Sequence, residues 1–337
     1  MKDEQQFDTP FPIVDLHSDL LSYLANVEGA TSDNTDDMGC ATPYLKEGNV
    51  KLQVLAAYVP TESHSVELAT DEFCSYQALP LDNSGSFHHV TTTDQASEAL
   101  AATGTGVIAA IENASALCTE NEPLDLAFVR LERLVEQAGK VLYITITHHS
   151  ANRFGGGNMT DIGLLDDGKV LLEHLSGMGI AIDFSHTSDL LARGIVDHID
   201  AKGLNVPILA SHSNFRAICD HARNLPDWLA REIEDRGGVI GVNFVRAFVH
   251  MDDASFLERH VQYGHELGVG GALCFGADFF YWKNSLDQGR LPFYHPAHEN
   301  AGKYQEILSS FGPDIGDEEK RAIAYGNALR FLERLWI

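Results

Sequence analysis

The sequence is poor in positive charge, in cysteine pairs and in long apolar runs. Lys and Arg number 23 against 49 Asp and Glu, a formal net charge of −26 over 337 residues. Such an excess of acid argues against binding a phosphate backbone or an anionic membrane surface. The cysteines Cys40, Cys74, Cys118, Cys219 and Cys274 are odd in number, widely spaced and form no CxxC pair. Neither a disulfide framework nor a thiolate zinc site is therefore expected, and a reducing cytoplasmic setting is. No apolar segment approaches the ~18 residues needed to cross a bilayer. The longest uncharged stretch, 99–111, is short and rich in Ala and Gly. The opening MKDEQQFDTPFP lacks the basic start and apolar core of a secretory leader. Internal repeats and low-complexity linkers are also missing, so a single domain over 1–337 is expected.

What is present is apolar and regularly spaced. With 44% hydrophobic residues the chain can fill a large core. Runs rich in β-branched and apolar residues predict strands at 12–17, 51–58, 106–112, 141–147, 180–186, 206–211, 238–243 and 271–277. Most are continuous rather than alternating, as in parallel strands buried on both faces. Helix-period segments lie between them. LDLAFVRLERLVEQAG stops at Gly139, and LPDWLAREIEDRGG places a proline before an acidic first turn and glycines after the last. Eight strands with helices after most of them predict a (β/α)8 barrel, with a doubly wound sheet as the alternative. The stretches in the 30s and at 59–105 read as insertions made of loops and short helices.

Nearly every predicted strand ends in a residue able to bind metal or move a proton. These are His17 and Asp19, Glu112, His148, His186, His212 and Asp278. A lone histidine at a strand end is more often a hydrogen-bonded core residue, and Ser188 and Asp189 suit a helix N-terminus. The joint pattern is different, because all strand C-termini of a barrel meet on one face. His17, Asp19, Glu112, His186 and His212 offer three imidazoles and two carboxylates, a donor set for Zn²⁺, with Mn²⁺, Co²⁺ or Fe²⁺ as alternatives. Five ligands exceed the needs of one catalytic zinc, so two ions bridged by Glu112 are expected. The glycines 155–157 lack a phosphate-loop Lys-Ser/Thr and read as a flexible turn. His88, His89, His295 and His298 read as loop residues. The DNTDD run at 33–37 reads as a solvated loop with the option of an ancillary cation.

The segments VDLHSD, IEN, ITHHSAN, GIAIDFSHTSD, ILASHSNFRAICDHARNLPD, GGVIGVNF, GADF and GNALRFLERL resemble the membrane (renal-type) dipeptidase family, metallopeptidase family M19 of the amidohydrolase superfamily. The resemblance runs from the first predicted strand to the last helix. It implies a (β/α)8 barrel with two zinc ions that hydrolyses dipeptides. It implies His17 and Asp19 on one ion, Glu112 as the bridge, and His186 and His212 on the other. Its substrate histidine falls on His148, with His149 one residue of register away, its substrate arginine on Arg223, and its acid after the last strand on Asp278. Two motifs depart from the family. Asn113 and Ala114 follow Glu112 in place of glycines, and Phe280 and Tyr281 replace an acid and a glycine after Asp278. The second change predicts an altered substrate range.

The expected mechanism uses a metal-bridging hydroxide as nucleophile. His148 would stabilise the oxyanion, Asp278 would pass a proton to the leaving amine, and Arg223 would hold the C-terminal carboxylate. The expected partner is a small dipeptide, with a homodimer left open and neither nucleic acid nor membrane expected. Two rivals stand beside this reading: an amidohydrolase for another small amide, such as an N-acyl amino acid or a β-lactam, and a catalytically silent metal-binding barrel.

Overall fold

The computed structural model describes residues 10–82, 85–283 and 288–336. Residues 1–9, which carry most of the reading for a secretory leader, lie outside them. The strands are β1 (Ile13–Ser18), β2 (Val50–Tyr58), β3 (Phe87–His89), β4 (Thr105–Glu112), β5 (Val141–Thr145), β6 (Ala181–Asp183), β7 (Ile208–Leu209), β8 (Ile240–Val242) and β9 (Leu273–Phe275). Eight of them run parallel in the order β7-β6-β5-β4-β2-β1-β9-β8, and β3 hangs on β4 outside that path. A parallel bridge between Ala210 and Ile240 joins the two ends of the order and closes the barrel.

All eight predicted barrel strands are present. The insertion at 59–105 is more ordered than expected: it holds an 18-residue helix, Ser65–Asp82, the strand β3 and a helix at Thr93–Ala99. His88 and His89 are therefore strand residues, not loop residues. The outer helices follow their apolar stripes. In Asp125–Ala138 the buried residues Ala127, Leu131, Leu134 and Ala138 recur every three or four positions, and Gly139 at φ 76° ends the helix. Ser188 caps the helix Asp189–Lys202 by accepting the Leu191 N–H.

Two apolar cores result. The larger packs the outer strand faces against the helices. The smaller fills the barrel interior with Val14, Leu16, Leu52, Val54, Ile108, Ala110 and Leu142, and is plugged from below by Ala328, Phe331, Leu332 and Leu335 of the last helix, Asn327–Leu335. With the interior filled by these side chains, the polar groups at the strand ends collect at the C-terminal mouth. Among the described residues, no helix is long and apolar enough to cross a membrane.

The closing seam is tight. A Cβ on Gly241 or on Gly276 would lie 1.9 Å from the Ser211 carbonyl oxygen. Gly241→Ala must push backbone against backbone, so it should lower stability by about 1–3 kcal/mol or more. Thermal unfolding of the variant checks this, and an unchanged melting temperature would show that the seam has slack.

Candidate metal centre

Four of the singled-out side chains occupy one position relative to their strands. β5, β6, β7 and β9 end at Thr145, Asp183, Leu209 and Phe275, and His148, His186, His212 and Asp278 each follow three residues later. They stand on the turns at the mouth, just past the shorter-than-predicted strands. His186 and Asp278 have positive φ, 65° and 64°, a conformation that non-glycine residues rarely adopt and that is concentrated at functional sites. His17 and Glu112 lie within β1 and at the end of β4. Asp19 occupies the N-cap of the helix Leu20–Asn26 but makes no capping hydrogen bond, which leaves its carboxylate to the cluster.

A bulge aims His17. Asp15 pairs with Gln53 and Ser18 with Leu55, so three steps of β1 pass two of β2. The extra residue lets His17 follow Leu16 toward the barrel interior. A second bulge lies between β4 and β5, where Val141 and Ile144 face Ala109 and Ile111. It turns both Leu142 and Tyr143 inward. The Tyr143 hydroxyl donates to the Leu16 carbonyl at 2.9 Å and lies 2.8 Å from His17 Nδ1. It therefore takes the Nδ1 proton, and the His17 Nε2 lone pair is left for the cluster.

Glu112 is the centre of that cluster. Its Oε2 is 3.5 Å from His17 Nε2, and its Oε1 is 2.9 Å from His186 Nε2 and 3.4 Å from His212 Nε2. His17 Nε2 is also 3.3 Å from Asp19 Oδ1 and 3.8 Å from Asp278 Oδ1. Behind His212, the Ser211 hydroxyl accepts from Nδ1 at 2.6 Å and donates to Asp183, which also receives Thr145 Oγ1 at 2.9 Å. This chain fixes the ring and its tautomer, as an outer layer behind a metal ligand does. Asp15 ties the opposite side: it accepts the backbone N–H groups of His17 and Ala277 and the hydroxyl of Tyr304.

The residues fit metal ions on their own terms. His17 Nε2 and Asp19 Oδ1 are buried with no hydrogen-bond partner, a costly state unless something else satisfies them. His17, Asp19 and Glu112 form one group of ligand atoms within 4.8 Å of one another, and Glu112, His186 and His212 form a second. Glu112 is the member they share, as expected of a bridging carboxylate.

The cavity above has a volume of about 590 Å³ and is lined by Asp19, Glu112, His148, His149, His186 and Asp278 on its chemical side. Both candidate substrate histidines therefore face it. The His148 ring packs 4.2 Å from that of His186, and His149 Nδ1 sits 2.9 Å from Asn158 Oδ1. Arg223 is buried, so it is no surface ion-pair residue. Its Nη1 donates to Ser213 Oγ at 2.7 Å and its Nη2 to the His212 carbonyl at 2.8 Å. It stands beside the lining rather than in it, and the arginine among the lining residues is Arg290. Glycines 155–157 are close-packed, not flexible: a Cβ on Gly157 would lie 2.1 Å from the His148 carbonyl oxygen. Asp37, in the acidic run at 33–37, is taken by Lys283 at 2.6 Å and by Tyr23 at 2.7 Å. His295 and His298 are in a loop as expected, and both are buried.

Burial sets the electrostatics. It pushes the Asp278 carboxyl up to about 8, with Asp19 and Glu112 adding to the rise and His17 and Arg223 opposing it. Glu112 is raised chiefly by burial as well. Burial holds His148, His186 and His212 well below the usual imidazole range, helped by neighbouring cations. Burial also lowers His17, but Tyr143, Glu112 and Asp19 outweigh it and carry the ring well above that range. His186 and His212 are therefore neutral, the state in which an imidazole takes a divalent cation, whereas His17 would release a proton on loading.

Comparison with known proteins gives the family and the fold. The profile described as membrane dipeptidase (peptidase family M19) matches residues 1–335. The chain belongs to that family. Among curated relatives, an uncharacterized protein in the pqqA 5′ region of Klebsiella pneumoniae is 32% identical over 144 residues, 38% of this chain and 51% of that protein. Dipeptidase aclJ of Aspergillus oryzae is 24% identical over 210 residues, 59% of this chain and 46% of that protein. The chain thus spans about half the length of these curated relatives. Among solved structures, dipeptidase AC, a metallopeptidase of family M19, superposes with a TM-score of 0.81 at 19% identity, covering 97% of this chain and 99% of that one. A metallopeptidase from Rhodobacter sphaeroides liganded with a phosphinate mimic of L-Ala-D-Ala gives 0.79 at 20% identity, covering 97% and 100%. These likenesses support the barrel.

Tyr143, Ser211, Asp183 and Asp15 were not singled out by sequence. Tyr143→Phe removes the acceptor for the His17 Nδ1 proton. It should weaken metal affinity by about 10–100-fold, read by titration with Zn²⁺; wild-type affinity would mean that the hydroxyl does not orient His17. A second expectation concerns pH. In the metal-free protein Asp278 and His17 keep protons that the unfolded chain, at ordinary values of 3.8 and 6.5, has released by neutral pH. Near pH 6.5 the depressed His148, His186 and His212 offset this, because an unfolded imidazole is still half protonated there, so the fall in stability comes as pH rises from about 7.5 to about 8.5. Urea midpoints of chelated protein check the sign, and a rising midpoint would refute it.

Proposed function

We propose that the chain is a metal-dependent dipeptidase using two divalent ions, zinc in the first place. The observation that carries this is Glu112, buried between His17 and Asp19 on one side and His186 and His212 on the other, with buried donor atoms of His17 and Asp19 left unpartnered. Two such ions supply a nucleophilic water of lowered pKa and polarise the scissile carbonyl.

The chain's own residues supply the rest. Neutral His148, at the cavity wall beside His186, donates a hydrogen bond to the oxygen that gains charge. Asp278 lies beside the ligands, with Asn243 Nδ2 donating to its Oδ2 at 2.8 Å and its Oδ1 directed toward His17. It accepts the proton released by the attacking water and returns it to the leaving amine. Arg223 contributes positive charge at the His212 end of the site, favouring a substrate that carries a free carboxylate there. That a structural neighbour binds a phosphinate mimic of L-Ala-D-Ala supports a dipeptide as substrate.

The test is hydrolysis of a dipeptide panel, including L,L and L,D pairs, by protein stripped with chelator and then reloaded with Zn²⁺ or Mn²⁺. Turnover should vanish on stripping and return on reloading. Asp278→Asn should keep both ions and lose at least about 100-fold in kcat. Hydrolysis of acyl amino acids with no action on dipeptides would move the chain to the rival amidohydrolase reading.

A further inference from the structure

Part of the cavity wall is built of rings. Phe280, Tyr281 and Phe293 line it, with Tyr23 and Phe248 at its flanks. These rings are braced. Phe280 meets Phe293 edge-on at 5.2 Å between centroids and Tyr294 at 5.7 Å, and Tyr281 packs on Tyr23 at 5.1 Å. The backbone is held too, since Phe280 N–H donates to the Tyr294 hydroxyl at 3.2 Å and that hydroxyl donates to the Asp278 carbonyl. Phe279 between them is fully buried, whereas Phe280 and Tyr281 keep part of their surface open. A rigid, half-open apolar surface next to a polar reaction centre loses hydration only when an apolar group covers it.

Its position says which part of a substrate covers it. Phe280 and Tyr281 follow Asp278 by two and three residues, and Asp278 is the group assigned to the leaving amine. The rings therefore flank the residue that departs with that amine. Arg223 brings positive charge close behind this wall, its guanidinium carbon 5.6 Å from the ring centre of Phe248, another lining residue.

We propose that Phe280, Tyr281 and Phe293 are specificity residues, and that they select dipeptides whose C-terminal residue carries a large apolar or aromatic side chain. This rests on the dipeptidase reading above. A hydrophobic pocket discriminates by about tenfold or more for each well-buried increment of side chain. Metal-loaded protein should therefore show kcat/KM for Ala-Phe and Ala-Leu at least about tenfold above that for Ala-Ala. Phe-Ala should gain no such advantage. Phe280→Ala should cut the Ala-Phe to Ala-Ala ratio by about tenfold, mainly through KM, and should weaken inhibition by the product L-Phe more than inhibition by L-Ala. Phe293→Ala provides the same readings if the first variant does not fold. Equal rates on Ala-Ala and Ala-Phe, or a preference that follows the N-terminal residue instead, would overturn the inference while leaving the dipeptidase reading intact. Failure to cleave any dipeptide after metal loading would sink both.

Discussion

The structure depends on how the charge of Glu112, almost wholly buried at the floor of the mouth, is answered. A carboxylate that deep in a barrel is costly unless cations or protons answer it. Here the answer comes from three imidazoles, and Asp19 and Asp278 add further acid within reach of His17. Without metal the cluster balances itself by holding protons on groups that would otherwise give them up. With metal, ions take the place of those protons. Metal affinity, proton release and folding stability are thus three readings of one electrostatic arrangement.

Two buried aspartates turn that arrangement into geometry. Asp15 gathers the backbone beneath His17 and Asp278 from β1 and β9. Asp183 does the same for β6 and β7, taking the N–H groups of Ser185 and Ser211 at 2.9 Å each. Each lies two or three residues before a proposed ligand on its own segment. A carboxylate that accepts several backbone donors is itself well satisfied, so each fixes two segments of the mouth at once. The ligands above are then held from behind, in addition to the contact of His186 Nε2 with His212 Nε2 at 3.0 Å.

Much of this was legible in the sequence. Continuous apolar runs marked all eight barrel strands, because a strand buried on both faces has no polar alternation to hide it. His17, Asp19, Glu112, His186, His212, His148 and Asp278 were legible as polar endings to those runs, and the structure brings all seven to one mouth. What escaped was whatever depends on a departure from regular pairing. Tyr143 sits inside an apolar run and faces His17 only because a bulge puts two neighbouring residues on the same side. Asp15 and Asp183 fall inside predicted strands and drew no role, since nothing local tells a satisfied buried carboxylate from an exposed one. Arg223 looked like a residue of the cavity and is instead hydrogen-bonded behind it, a difference set by its contacts with Ser213 and His212 rather than by its own segment.

The strands differ in length around the ring. β1, β2 and β4 have 6, 9 and 8 residues, whereas β6, β7, β8 and β9 have 3, 2, 3 and 3. One half of the barrel is a long hydrogen-bonded ladder that carries His17 and Glu112. The other half is thinly laddered and carries His186, His212 and Asp278 on turns. Ions held by the residues around Glu112 would therefore act as a rivet between a stiff plate and a pliant one. The half that holds its proposed ligands least firmly would gain most from loading, so metal binding and the mechanical integrity of the short-stranded half would rise and fall together.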